Sequence, residues 1–221
     1  IFTFEHMHVD RKKGDVNGRW ALKPMDLPAL KKILASWQKE LRGRGWNALY
    51  FENHDRARVI SRWGNDEEYR YECATAFATV LHGLQGTPFV FQGEEIGMTN
   101  PKFKLEEYED IELRGNYDFY VKQQQTISEE EFLAAVHKIT RDNARTPMQW
   151  DDSEHAGFSE AEPWFKLNPN YPSVNVASDQ ASEKSVFNYY QQLIELRHTQ
   201  DILTEGEFEL LYEEDPARFI Y

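Results

Sequence analysis

Apolar and polar positions alternate in blocks along this chain, and the blocks predict a strand and helix repeat. Ile1 to Phe4 is short, β-branched and aromatic, and gives way to a polar cluster from Glu5 to Lys13, as a buried strand opening into a loop would. Asp26 then stands where an N-cap belongs, Pro28 falls in the first turn, and Leu27, Leu30, Ile33, Leu34, Trp37 and Leu41 recur at helical spacing. Ala48 to Phe51 is a second apolar strand, Glu52 to Asp66 is polar, and a helix over about 67–84 carries the stripe Cys73, Ala76, Phe77, Val80, Leu81 and Leu84. Gly86 closes that helix, Thr87 to Phe91 is a third strand, and the segment from Gln92 to Met98 is again polar.

Strand, helix, strand at roughly 40-residue spacing predicts parallel βα units, whose loops gather at the carboxyl ends of the strands. The third unit has its helix delayed by an insertion over about 99–182, which contains a capping box of Ser128 and Glu131 ahead of Phe132, Val136 and Ile139. The delayed helix runs from about Glu183 to Thr199. Phe208, Leu210 and Tyr212 then alternate, Asp215 and Pro216 turn, and Phe219 to Tyr221 starts another strand, which predicts the opening hairpin of a separate β domain. The expected division is 1–200 for the βα part and 201–221 for the start of the β domain.

Charge narrows the classes of partner. The net charge of −13 sets a repulsive mean field against nucleic acid and anionic membranes, and no apolar run has the length of a membrane span. Cys73 is the single cysteine, so an intrachain disulfide and a cysteine-based zinc cluster are excluded, and a reducing, cytoplasmic setting is expected. The start, IFTFEH, lacks an initiating Met and reads as a cut.

Candidate chemistry sits on the loops that follow strands. His54 and Asp55 lie side by side after the second strand; imidazole donates one hydrogen bond and a carboxylate accepts two, which suits vicinal sugar hydroxyls, and a turn capped by its Asp would look the same. Glu94 and Glu95 resemble an acid and base pair, but adjacent side chains on an extended segment diverge, so one is expected to cap or form a salt bridge and the other to face the sheet's mouth. His6 and His8 lack a third ligand, and no metal is expected. Cys73 reads as a core residue, Trp63, Trp150 and Trp164 as packing beneath the insertion, and the acidic run from Glu106 to Asp110 as a solvated face.

The wider text, ENHDRARVISRWGND, GLQGTPFVFQGEEIGM, TRDNARTPMQWDDSEHAGFS and PWFKLNPNY, closely resembles the α-amylase family of glycoside hydrolases. Within it, DNARTPMQW points to the group of oligo-1,6-glucosidases, dextran glucosidases and trehalose-6-phosphate hydrolases. The resemblance implies a partial TIM (β/α)8 barrel, strands six to eight with their helices, followed by the beginning of a C-terminal β-sandwich domain. It implies an enzyme that removes glucosyl units from short α-glucosides or oligosaccharides by a two-step retaining mechanism that needs no cofactor.

By the same resemblance, Asp55 is the transition-state-stabilising carboxylate and His54 a sugar ligand. Arg141 would reach into the same sugar subsite with Arg145 close by, although for Arg145 an ion pair with Asp142 ranks ahead of a substrate contact. Asp10 and Arg11 correspond to a loop that faces the leaving side of the site in related sucrose isomerases, and a solvated loop is the competing reading. The family's nucleophilic Asp and general-acid Glu lie on strands that would precede Ile1, so this chain alone is expected to be inactive: retaining cleavage needs that pair about 5 to 5.5 Å apart. Trehalose-6-phosphate hydrolase and sucrose isomerase are the alternative activities. From another class, the barrel of a transporter heavy chain and a scaffolding fragment are the alternatives. Opened at strand six, such a barrel exposes an edge through which copies would self-associate.

Overall fold

A computed structural model describes all of residues 1–221, and the predicted strands lie side by side in it. β1 (Ala48–Leu49) pairs in parallel with β2 (Thr87–Pro88), and Phe2 forms a parallel bridge to Ala48 on the other side. The amides of Thr87 and Phe89 donate to the carbonyls of Asn47 and Leu49, each at 2.8 Å. Pro88, between them, therefore turns its missing N–H to the open side, where a proline is tolerated. The strands are shorter than the apolar runs that predicted them. The first is reduced to the single bridge at Phe2.

Three long helices complete the units. α1 (Leu27–Leu41) starts as expected, with the Asp26 carboxylate accepting the Ala29 amide at 3.0 Å and Pro28 in the first turn. A short α2 (Val59–Trp63) occupies part of the segment read as polar loop, and α3 (Arg70–Gly83) follows. α7 (Val186–Thr199) packs along α3. One core cluster joins them: Leu30 and Leu34 from α1, Leu49 and Phe51 from the sheet, Ala78 and Leu81 from α3, and Val186 and Tyr190 from α7. Fully burying side chains of this size contributes roughly 1.5–3 kcal/mol each.

The insertion has its own core. α4 (Ile111–Asn116), α5 (Glu129–Ile139) and α6 (Val176–Gln180) lie in it, and the Ser128/Glu131 capping box forms as predicted. Phe132, Val136, Leu113, Phe103, Tyr108 and Phe165 enclose Trp20, which belongs to the first loop. Trp20 thus staples that loop to the insertion.

At the C-terminus the expected hairpin is reduced to one antiparallel rung between Leu211 and Ile220, and a short α8 (Ile202–Glu205) precedes it. Phe208 and Phe219 pack on the first core cluster. The segment is fastened from below: the buried Lys31 ammonium donates to the carbonyls of Tyr212, Asp215 and Arg218 at 2.6, 2.8 and 3.0 Å. No helix is long and apolar enough to cross a membrane.

Candidate functional site

The residues following β1 fold back immediately. The Asn53 carboxamide oxygen accepts the Asp55 amide at 2.8 Å and its carbonyl accepts the Arg56 amide at 3.0 Å, an Asx-stabilised turn of the kind Asn favours. The turn lifts His54 and Asp55 into solvent, with side chains 75% and 52% exposed, and their Nε2 and Oδ2 atoms lie 3.3 Å apart. Both are available to a ligand.

Arg145 closes on this turn from the insertion. Its Nη2 donates to Asp55 Oδ1 and its Nε to the His54 carbonyl, each at 2.8 Å. The expected Arg145 and Asp142 ion pair is not formed. Asp142 is buried, its Oδ2 accepts the amides of Glu109 and Asp110 at 2.7 Å, and burial pushes its carboxyl above the ordinary range. Two amides thus hold Asp142 by one oxygen, and Arg145 pairs with Asp55 instead.

Arg141, at the head of the same short helical turn, donates to Asp110 Oδ1 at 2.6 Å. Burial pulls its guanidinium down, but the Asp110 contact outweighs this and raises it; the charge of Asp55 adds to the effect, so the two side chains are electrostatic neighbours. Asp110 corrects a sequence expectation. It is buried, caps α4 by accepting the Glu112 amide at 3.1 Å, and is no part of a solvated face. Arg19 lies 3.8 Å from its other oxygen.

Asp10 also departs from expectation. Its carboxylate is buried and gripped by Arg62 through Nε at 2.6 Å and Nη2 at 2.8 Å, with the Trp63 indole donating at 2.8 Å. Burial raises its carboxyl, but the Arg62 bonds win and hold it below the usual range. A bidentate arginine consumes the acceptor capacity a sugar would need, so Asp10 staples the first loop to α2 and does not line an acceptor subsite. Arg11 is half-buried without a carboxylate partner and its Nε lacks an acceptor. Burial first, then the neighbouring Arg62 and Arg56, lowers its guanidinium to about 10. Burial first and then Arg62 lower Arg56 as well, and its Nε is likewise unpartnered. A groove of about 870 Å³ opens beside this loop, between His8, Arg11, Lys12, Lys32 and Trp37. The turn at His54 lies outside it.

Beneath the turn is a buried layer that sequence reading did not pick out. Glu52 Oε2 accepts Arg58 Nη1 at 3.0 Å and Oε1 accepts the Val59 amide at 2.8 Å. Arg58 also donates to the Gln92 carbonyl at 2.7 Å, and its own amide reaches Asn100. Both side chains are 1% exposed. Burial raises Glu52 above its ordinary value, and Arg58 recovers only part of that cost. Glu94 and Glu95 lie on a short helical turn, Glu94–Ile96, and not on the extended segment expected; each accepts a backbone amide, as a cap would, Glu94 that of Phe91 beside the Tyr190 hydroxyl and half-buried Glu95 that of Gly93, and neither makes a salt bridge. Trp63 ends α2 and packs on Phe51 and Phe77 of the main core, not beneath the insertion as expected. Trp150 and Trp164 are 50% and 84% exposed, against the expectation that they pack beneath the insertion. His6, with Nε2 against the Tyr50 carbonyl, is lowered by burial to about 4 and is a neutral core residue.

The model of the α-amylase catalytic domain matches residues 1–206. The chain belongs to the α-amylase family. Within that family it is 59% identical over 221 residues to an oligo-1,6-glucosidase of Heyndrickxia coagulans, which it matches over 100% of its own length and 40% of the relative's. It is 42% identical over 222 residues to the trehalose-6-phosphate hydrolase of Bacillus subtilis strain 168, covering 100% of this chain and 39% of that one. Among solved α-amylase-family structures, a variant of trehalose-6-phosphate hydrolase from Bacillus licheniformis superposes with a TM-score of 0.91 at 41% identity, over 99% of this chain and 39% of that one. A variant of isomaltulose synthase from Erwinia rhapontici NX5, determined with sucrose, gives 0.90 at 39% identity, over 99% of this chain and 39% of that one. The chain thus spans about 40% of the length of the curated relatives it matches.

Proposed function

We propose that this chain carries the sugar-gripping part of a retaining α-glucosidase of the oligo-1,6-glucosidase type, acting on short α-glucosides without a cofactor in the cytoplasm. Residues 1–200 would be the C-terminal part of its catalytic barrel, with the insertion at about 99–182, and residues 201–221 the start of a β domain. The observation that carries the reading is the cluster of His54, Asp55 and Arg145, joined by the 2.8 Å contact between Arg145 and Asp55. In that role Asp55 and His54 accept and donate hydrogen bonds to a glucosyl ring, tightening as it flattens toward an oxocarbenium-like state. Arg145 sets the orientation of the carboxylate. Arg141, anchored on Asp110, lines the same subsite.

Hydrolysis needs a nucleophile and a general acid beyond these residues, so the chain alone is expected to release no glucose from isomaltose or a nitrophenyl glucoside. Binding is the more direct test. A hydrogen bond to a charged group contributes about 1.5–3 kcal/mol, so Asp55→Asn is expected to weaken isomaltose binding roughly 10- to 100-fold by NMR titration. Unchanged affinity in that variant, or clear glucose release by the parent chain, would overturn the proposal.

A second reading, a phosphorylated disaccharide as substrate, is favoured by Arg11 and Arg56: both guanidiniums are half-buried, neighbour Arg62, and have no carboxylate partner. Such a pair suits an oxyanion. Tighter binding of glucose 6-phosphate than of glucose, lost in Arg11→Gln, would favour it.

Self-association follows from the sheet. Ile1, Phe2, Phe4, Phe89 and Val90 are exposed along its two unpaired margins, and such edges pair with what is available. Light scattering is expected to show mass increasing with concentration. A monodisperse monomer across the same range would count against it.

A further inference from the structure

We propose that Glu94 is a neutral carboxylic acid in the folded protein, and that its proton lets the floor beneath the Asn53 turn close around a single cation. The inference stands apart from any sugar chemistry. Glu52 and Glu94 are 3% and 4% exposed, and the one cation buried with them is Arg58 at 0%. Glu52 uses both its oxygens, on Arg58 and on the Val59 amide. Glu94 has only neutral donors: the Tyr190 hydroxyl to Oε1 and the Phe91 amide to Oε2, each at 3.1 Å.

The elements around Glu94 bring no second positive charge to it. From α7, Tyr190 is neutral. From α3, His82 meets the Tyr190 ring edge-on at 5.3 Å and holds the Ala78 carbonyl, and burial lowers its imidazole below the ordinary value. Arg70 of α3 donates to the carbonyls of Ile96 and Gly97, and Arg197 of α7 to those of His82 and Leu84. On its own segment, Glu95 adds negative charge, and Asp179, which precedes α7, is taken up by Ser185 and two amides. Two ionised carboxylates sharing one guanidinium in a dry layer would leave one charge uncompensated, and a carboxyl group so placed takes a proton. Consistent with this, burial first and the charge of Glu52 second push Glu94 well above its ordinary 4.5.

The sign of the linkage follows. The unfolded chain releases this proton above its ordinary value of 4.5 while the folded one keeps it. The stability Glu94 contributes is therefore complete below that pH and is lost as pH rises toward the folded value. Glu94→Gln has nearly the shape of the protonated acid and cannot titrate. Urea unfolding of the whole chain is expected to show the variant gaining on the parent by about tenfold in folding equilibrium constant per pH unit across that window. Infrared spectra of the folded parent at neutral pH are expected to show a protonated-carboxyl stretch that is absent in Glu94→Gln and disappears from the parent on unfolding. Parallel stability profiles would overturn the proposal, and so would the lack of that band in the folded parent. The second result can be read even if the variant fails to fold.

Discussion

Replacing Arg58 with Met is expected to cost about 3–5 kcal/mol of stability at neutral pH, because it removes one partner of a fully buried ion pair and leaves the other charged. Arg58 and Glu52 meet at 3.0 Å with side chains 1% exposed, so solvent does not soften the loss. Met conserves most of the volume, and the Phe91 ring below the guanidinium, 5.3 Å away, keeps an apolar neighbour. The cost is thus electrostatic. It is expected to shrink as the solution is acidified, since Glu52, already raised by burial, takes up a proton once its partner is gone. The double change Arg58→Met with Glu52→Gln is expected to recover part of the loss, which a double-mutant cycle in urea measures directly. Wild-type stability in Arg58→Met at neutral pH would contradict the account.

Phe132→Ala is expected to cost a similar amount, about 3–5 kcal/mol, by opening a cavity in the insertion's core. Phe132 is 0% exposed, with the Trp20 ring 4.6 Å and the Tyr117 ring 5.7 Å from its own. That cluster is separate from the one that holds α1, α3 and α7 to the sheet. Hydrogen exchange is therefore expected to speed up in α4, α5 and the loop at Trp20, while α1 and α3 keep their protection. Equal loss in both regions would show that the two cores unfold as one.

Elements governed by local rules were legible in the sequence. Asp26 with Pro28 placed the start of α1, Ser128 with Glu131 that of α5, and apolar spacing gave α3 and α7 to within a few residues. Strand lengths were not legible, since a ladder ends where its neighbours end. The C-terminal hairpin shows this best: Phe208, Leu210 and Tyr212 alternate, yet one rung forms. Phe208 packs instead on the main core.

The candidate site divides the same way. His54 and Asp55 could be singled out because they sit together after a strand. Which carboxylate each arginine would choose could not, because the choice depends on what else competes for that carboxylate. Asp142, three residues from Arg145, is claimed by two amides, so Arg145 takes Asp55, 90 residues away. Asp10 and Arg62 are 52 residues apart, and Asp110 stood in an acidic run that composition alone assigns to the surface. In each case the deciding fact is a backbone group or a buried neighbour that no local pattern records.

Lys31 makes a covalent handle out of the C-terminal segment. Its amine is buried at 0% exposure and surrounded by carbonyl oxygens, so an acylating reagent meets it only when residues 212–218 lift away. The speed at which that one lysine is modified, relative to the exposed Lys32 on the next position of α1, then reports how often the tail is off its seat.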